Sequence, residues 1–497
     1  MNLDAAVDLE IKNFSGATIT DRESGIINGV IDSSKGKPTV TQRPSINLEE
    51  QASTARGRAV YYWDANNVLY LLNDDTIYKN TYSGAMATTI TSGTKKCRFL
   101  QLGTRLILVD PEDSKAYTIT TGDVVAQIGG SFPAAIAHGG AILDGYFFIM
   151  DTDGVIWNSD LNAPQTFSAG GSINAEREED GGIYLGKHHD HLVAFGERTI
   201  EFFYDNANPT NSPLNRRQDI SYTTGCAEGN TVWEEGDTTV FLGTQPSTGM
   251  GVFVLENFQI RKISSSGLDA LLTQAIIRDE YGAFASGFSA NGHKFYVLTL
   301  HTTPSDITPE ATYVYDMAVN VWYEWETSVG TVTNFPVIDW SLRAGQTIRT
   351  GVGMLSNGDY LIINNGFTPQ DSIGASVYVT PTTYVETGYI TDISGSGTEF
   401  TMKIRFGQFD GDTNKNKTMH KLRPRMNQTE NSQTVTVTWS DNNNQTFVTG
   451  GTFDAVYQYD DLRRCGLFNR RNIELQYTGT EQLFIESLEA DIQVGTV

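Results

Sequence analysis

Cysteine is scarce in this chain. Cys97, Cys226 and Cys465 are the only three among 497 residues. They lie far apart and in no CxxC or Cys/His spacing, which argues against a disulfide framework or a structural zinc site and points to folding in a reducing cytoplasm. Basic residues are also in deficit: 35 Lys and Arg stand against 59 Asp and Glu, a net charge of −24. That balance excludes a general nucleic-acid binder that works by neutralising phosphates. Long apolar runs are missing too. The most apolar window, Ala134 to Met150, is interrupted by His138, Gly139, Gly140, Asp144 and Gly145 and falls short of a membrane span. The opening MNLDAAVDLE places acids where a secretory signal has a basic start and an apolar core. A soluble chain without membrane insertion is therefore expected. With only 19% charged residues and almost no helix-period stretches, coiled coils and long bundles are excluded. No GxSxG, HExxH, P-loop or dinucleotide-binding motif is present, so neither an enzyme nor a cofactor is expected.

What the chain has in quantity is Gly (48), Tyr (22) and Phe (24), arranged as short alternating apolar runs between Asn, Asp and Gly turns. The stretch from Ala59 to Lys79 reads as three strands joined by hairpin turns, and comparable units begin at Cys97, Ala137, Ile183, Thr231 and Ala285. Successive starts are 38, 40, 46, 48 and 54 residues apart, near the ~40–50 residue period of propeller blades. A meander cannot bury both faces alone, and stacking blades round an axis supplies the missing contacts. The expectation is all-β: a β-propeller of about six blades with an additional C-terminal β-sandwich-like domain. Residues 335–365 form either a seventh unit or part of a blade completed by N-terminal strands. A single many-hairpin sandwich is the alternative. One short helix is expected, with Ser264, Ser265 or Ser266 as N-cap and Leu268, Leu271, Leu272 and Ile276 on one face. The loop 302–310, with Pro304 and Pro309, reads as an exposed insertion. These readings divide the chain into an N-terminal arm with propeller-closing strands (1–58), the propeller (59–366), a linker (367–397) and the C-terminal β-domain (398–497).

The charge is uneven. Residues 403–471 hold eleven Lys/Arg against seven Asp/Glu, a balance of +4 that leaves −28 for the remainder. Such a dipole suits head-to-tail or ring assembly, and equally suits strand edges protected by Lys and Arg. Lys421, Arg423, Arg425, Arg463, Arg464, Arg470 and Arg471 are the candidate residues for facing a neighbouring subunit or adaptor.

Three other clusters hold residue types that could carry chemistry. In KHHDH (187–191), His189 and His191 would share a face of a strand, but a polar hairpin turn explains the segment and no second ligand cluster completes a metal site. Ser440–Phe447 is similar to a degenerate Asp-box, with Asn442 and Asn444 at the Asp and Gly positions, and is accounted for as a turn. Glu176, Glu178, Glu179 and Asp180 form an acidic run that reads as a solvated loop, since a glycosidase needs a facing pair of carboxylates.

Four stretches resemble the packaged-DNA stabilisation proteins of short-tailed bacteriophages, the tail hub or nozzle family. PTVTQRPSINL (38–48) and ARGRAVYYWDANNVLYLLNDDTIY (55–78) are similar to the family's opening, through Arg43, Pro44, Arg56 and Gly57, with Ser45 where glycine is usual. ILDGYFFIMDTDGVIWNSDLNAPQTFSA (142–169) resembles a second segment. The longest runs from Leu192 to Gly243 and on to Leu272, and contains Gly196, Glu197, Arg198, Thr199, Ile200 and Glu201, then Gly225. The last, 437–447 and 461–492, resembles the family's C-terminal β-domain. The resemblance implies a non-enzymatic virion tail protein assembled in the host cytoplasm. It further implies a homo-hexameric ring below the portal and its adaptor protein. That ring retains the packaged genome, docks tail fibres, spikes or a needle, and lets duplex DNA pass through its lumen. An acidic lumen would leave the DNA screened by its own counterions and free to slide, so the −28 portion is expected to line or flank the channel. A propeller-type glycan-binding or glycan-cleaving tail protein is the alternative.

Overall fold

A computed structural model of the chain describes residues 4–10, 25–33, 36–50, 57–86, 90–93, 95–175, 180–274, 282–290, 292–300, 311–326, 335, 337–343, 350–355, 360–363, 370–371, 398–410, 413–457 and 460–495. Among them, seven antiparallel meanders follow one another as the blades of a propeller. Blade 1 spans 57–79, blade 2 spans 98–127, blade 3 spans 141–174, blade 4 spans 182–222, blade 5 spans 225–262 and blade 6 spans 283–324. These coincide with the six units read from the sequence. Blade 7 is built from Val337–Arg343, Thr350–Leu355 and Tyr360–Ile363, and its fourth strand is Ile46–Glu50 from the N-terminal region. The count is thus seven rather than about six. Both options left open for 335–365 hold together, because a seventh blade exists and an N-terminal strand completes it.

Strand alternation accounts for the stacking. In blade 2, Leu106 and Leu108 pack towards blade 1, while Ile107 and Val109 pack towards blade 3. In blade 3, Phe147 and Ile149 face blade 2, whereas Phe148 and Met150 face blade 4. Blade 4 repeats the device, with Leu192 and Ala194 on one side and Val193 and Phe195 on the other. A strand buried on both faces reads as a continuous apolar run, which is why VLYLL and LVAF lack polar residues. The ring closes where Val60 and Tyr62 of blade 1 donate their amides to Asp339 Oδ2 and Ser341 Oγ of blade 7, each at 2.9 Å. Val60, Phe284 and Ile338 share the core there.

The C-terminal region is a sandwich. One sheet joins Met402–Arg405, Asn472–Tyr477, Thr434–Ser440 and Val448–Asp454. The other pairs Lys417–Met426 with Ile485–Val494 and adds Gly29–Asp32, Thr39–Gln42 and Asp4–Glu10. The described part of the N-terminal region therefore divides between two bodies: its first strands belong to the sandwich and its last to the propeller. Gly25–Ile27 pairs antiparallel with Met402–Arg405 and meets blade 6 through Ile27 and Glu324, making one nine-stranded sheet across both bodies. Their cores are also continuous, since Phe288, Trp325 and Phe335 pack in the same cluster as Val435, Leu475 and Leu488.

The helix Ser266–Gln274 lies against blades 5 and 6 through buried Leu268 and Leu272. Of the three serines considered, Ser265 is the cap, its Oγ accepting the Leu268 amide at 3.4 Å. Ile276, the loop 302–310, the acids at 176–179 and all of the linker except Gln370 and Asp371 lie outside the described residues. Among those described, no helix is long and apolar enough to cross a membrane.

Candidate functional site

Three places concentrate buried polar chemistry: the propeller–sandwich junction, the turn after the second strand of blade 4, and the propeller axis. At the junction, Arg43 is fully buried. Its Nε donates to Asn28 Oδ1 at 3.0 Å, Nη1 to the Pro44 carbonyl at 3.0 Å and Nη2 to the Glu326 carbonyl at 2.6 Å. The guanidinium also stacks 3.9 Å from the Phe400 ring centroid. Asn28, in the left-handed region at φ 56, accepts the Glu326 amide at 2.7 Å and donates to the Thr401 carbonyl at 3.0 Å. One Arg–Asn pair thus ties the N-terminal strands, blade 6 and the sandwich together. Gly57 opens blade 1 and is buried; Arg56 lies outside the described residues.

Gly196–Thr199 forms the hairpin turn of blade 4, and Asp180 anchors it. Asp180 Oδ2 accepts the amides of Arg198 and Thr199, both at 2.8 Å, and the Thr199 hydroxyl donates to the same oxygen at 3.1 Å. A Cβ at Gly196 would lie 2.5 Å from that carboxylate, and one at Gly225 would lie 1.9 Å from the Glu197 carbonyl. Gly225 is therefore required by close approach to backbone, while Gly196 leaves room for the anchoring carboxylate. Ile200 is buried between blades 4 and 5, and buried Glu201 sits 2.7 Å from Arg216 Nε. Glu197 and Arg198 are exposed. Asp180, read as part of a solvated loop, instead holds this turn.

Ion pairs cross the axis of the propeller. A cavity of about 200 Å³ lies there, with Tyr61, Tyr184 and Trp233 in its wall. Lys96, just before the first strand of blade 2, donates to the Ala285 carbonyl of blade 6 at 2.9 Å and pairs with Asp339 of blade 7 at 2.8 Å. Arg98 pairs across the axis with Glu234 of blade 5. His138 also lines the cavity, and burial pushes its pKa down to about 3, with Lys95 adding to the effect. The two carboxylates of the cavity, Asp339 and Glu234, are thus each paired with a cation of the segment entering blade 2. None of these axial residues carries a sequence motif. Only their half-buried, cross-blade pairing marks them.

A family model described as "Phage_stabilise: Bacteriophage P22 Gp10, beta-propeller" matches residues 30–355, more than half of the chain. The chain belongs to the Phage_stabilise family. The match takes in Arg43, Pro44, the Gly196–Glu201 turn and Gly225, and it stops in blade 7, before the strands 398–494 of the sandwich. No curated protein sequence matches. Among solved structures, streptogramin B lyase is similar with a TM-score of 0.42 and 7% identity, covering 63% of this chain and 95% of its own. The N-terminal domain of Nup159 is similar at 0.40 and 7%, covering 69% and 99%. Virginiamycin B lyase from Staphylococcus aureus is similar at 0.39 and 8%, covering 64% and 96%.

In this Phage_stabilise chain the basic residues of the sandwich are only partly available. Arg471 is buried, with bidentate hydrogen bonds to Asp441 at 2.7 and 2.8 Å, and it donates to the Cys465 carbonyl at 2.5 Å. It therefore does not belong to an outward-facing set: a guanidinium this deep is held by its own carboxylate and cannot reach a partner. Arg423 forms a bidentate pair with Asp461, and Arg425 pairs with Glu489. Lys421 is half-buried beside Arg463 on the adjoining strand. Arg463, Arg464 and Arg470 are exposed.

The histidine turn packs around an aromatic ring. His188 Nε2 accepts the Phe258 amide at 3.1 Å, His189 lies 3.0 Å from Asp237, and all three imidazoles surround Phe258. No metal-holding group of three or more ligands occurs among the described residues. The Asp-box-like segment is a turn, with Asn443 and Asn444 at φ 58 and 64 and Asn442 Oδ1 accepting the Thr446 amide at 3.0 Å.

Proposed function

We propose that this chain is a non-enzymatic tail hub protein, a subunit of a nozzle ring below the portal and its adaptor. In this reading six copies retain the packaged genome, dock tail fibres, spikes or a needle, and conduct duplex DNA during ejection. The observation that carries the proposal is the family match across the propeller. Two physical features agree with it. Because ion pairs cross each propeller's own axis, DNA would travel between copies and not through any one of them. The net charge of −24 disfavours counterion release onto the protein, so a duplex would slide past it. Within a Debye length of about 8 Å at physiological salt, the repulsion acts only where the bore is narrow. Retention would then come from constriction or a separate plug.

Deleting the gene in the phage that carries it tests the proposal. Particles should package DNA and then lose it, and a reconstruction of intact particles should locate the chain as a ring beneath the adaptor. DNA-filled, infectious particles without this chain would refute the reading.

A further inference from the structure

The loop 463–470 of the sandwich is held rigidly while its tips point outward. Arg471 clamps it from beneath through the Cys465 carbonyl, and its guanidinium stacks 4.4 Å from the Phe468 ring and 4.6 Å from Trp439. Cys465 is buried and its amide donates to the Met419 carbonyl at 3.0 Å. Between these anchors Arg464 takes the left-handed conformation at φ 61, which costs a non-glycine residue roughly 1 kcal/mol or more. Leu467 is 63% exposed. Arg463, Arg464 and Arg470 are exposed beside it. An apolar tip ringed by arginines on a preorganised loop has the composition of an interface hot spot.

A complementary surface exists on the same chain. A groove of about 570 Å³ on blade 3 is lined by Phe132, Pro133, Ala134 and Trp157, with Asp151 and Asp153 among its lining. Asp151 is engaged within the blade, accepting the Trp157 indole N–H at 2.9 Å, while Asp153 is exposed. The groove is thus an aromatic floor with one exposed acid, Asp153, at its rim, on a body that carries −28 outside residues 403–471.

We infer that the 463–470 loop of one copy docks into the blade 3 groove of a second copy, with Leu467 over Phe132 and Trp157 and the arginines facing Asp153. The two surfaces differ, so the contact is heterologous: it propagates head to tail, and closes into a ring where the rotation allows. This deepens the proposed ring by naming the surfaces that build it.

Sedimentation of the full chain over a concentration series, at low and moderate salt, tests the inference. Leu467→Ser, the pair Arg463→Glu with Arg470→Glu, and Asp153→Arg should each weaken association roughly tenfold or more. Because all these side chains are exposed, thermal melts should match the parent. A Leu467→Ser chain mixed with an Asp153→Arg chain retains one intact loop and one intact groove, so the mixture should stop at 1:1 dimers. With cysteines at both Leu467 and Ala134, oxidation should give cross-linked multimers. Association unchanged by either set of variants, or a wild-type chain that stays monomeric throughout, would overturn the inference. So would loop variants that lose binding to a duplex DNA probe while self-association is untouched, since the loop would then be a phosphate contact. Any of these results leaves the particle experiment above to decide the tail role separately.

Discussion

Arg58 and Asp110 form a fully buried ion pair between blades 1 and 2, with Nη2 2.5 Å from Oδ1 and neither side chain exposed to solvent. Three further guanidinium hydrogens go to the carbonyls of Lys95, Asp74 and Thr91 at 3.0 to 3.1 Å. Removing one partner strands the other charge in the interior, which costs about 3–5 kcal/mol. Asp110→Ala should therefore lower the urea midpoint sharply, while the paired change Arg58→Met with Asp110→Leu should recover part of the loss. Equal losses in the single and paired variants would contradict this account.

Gly225 is required by contact and not by φ. With its Cβ position 1.9 Å from the Glu197 carbonyl, Gly225→Ala must displace backbone. A destabilisation of about 1–3 kcal/mol is expected, as for overpacking. Gly236, with φ 61 and open space around its Cβ position, is the control for a turn strained without collision. Chemical denaturation of the two Ala variants should rank Gly225 as the more damaging.

Arg43 joins two bodies, so its loss should be felt at their junction. Lysine cannot reproduce three directed donors and a stacked plane, and Arg43→Lys should fail to rescue Arg43→Ala. Limited proteolysis should cut between sandwich and propeller faster in both variants. Unchanged cleavage would remove Arg43 from that role.

Acid should loosen the propeller before the bulk of its carboxylates titrate. Burial holds His138 and His188 at about 3 and about 4, below the 6.5 of an unfolded histidine. The unfolded chain therefore binds more protons, and their stabilisation is complete above pH 6.5 and lost as pH falls towards 4. His293 has the opposite sign: burial lowers its pKa, but hydrogen bonding to Asp316 outweighs this and raises it. Its contribution is complete below 6.5 and fades as pH rises through the raised value. Denaturation midpoints from pH 8 to 4 should fall on the acid side, and His188→Gln should flatten part of that slope. A slope identical to the parent's would exclude His188.

Six blades were legible because each is local. Alternation and turn residues within some forty residues determine a meander, whatever the rest of the chain does. The GERTIE segment and Arg43 stood out as family motifs in the sequence, but the reason for them did not. Asp180 beneath the turn, and Asn28 and Glu326 around the guanidinium, come from distant positions or separate elements. Arg58, Lys96, Arg98 and Glu234 carried no signal at all. Arg471 looked identical to its exposed neighbours, and only Asp441, thirty residues away and across a strand pair, places it inside. By itself, then, the sequence determined the all-β meander, its repeat and its acidity, since these depend on short-range backbone preference and composition. The seventh blade's closing strand, the ion pairs across the axis and the division of arginines into buried clamps and exposed tips were decided by tertiary structure. Each depends on which remote residues meet, and local periodicity carries no information about that.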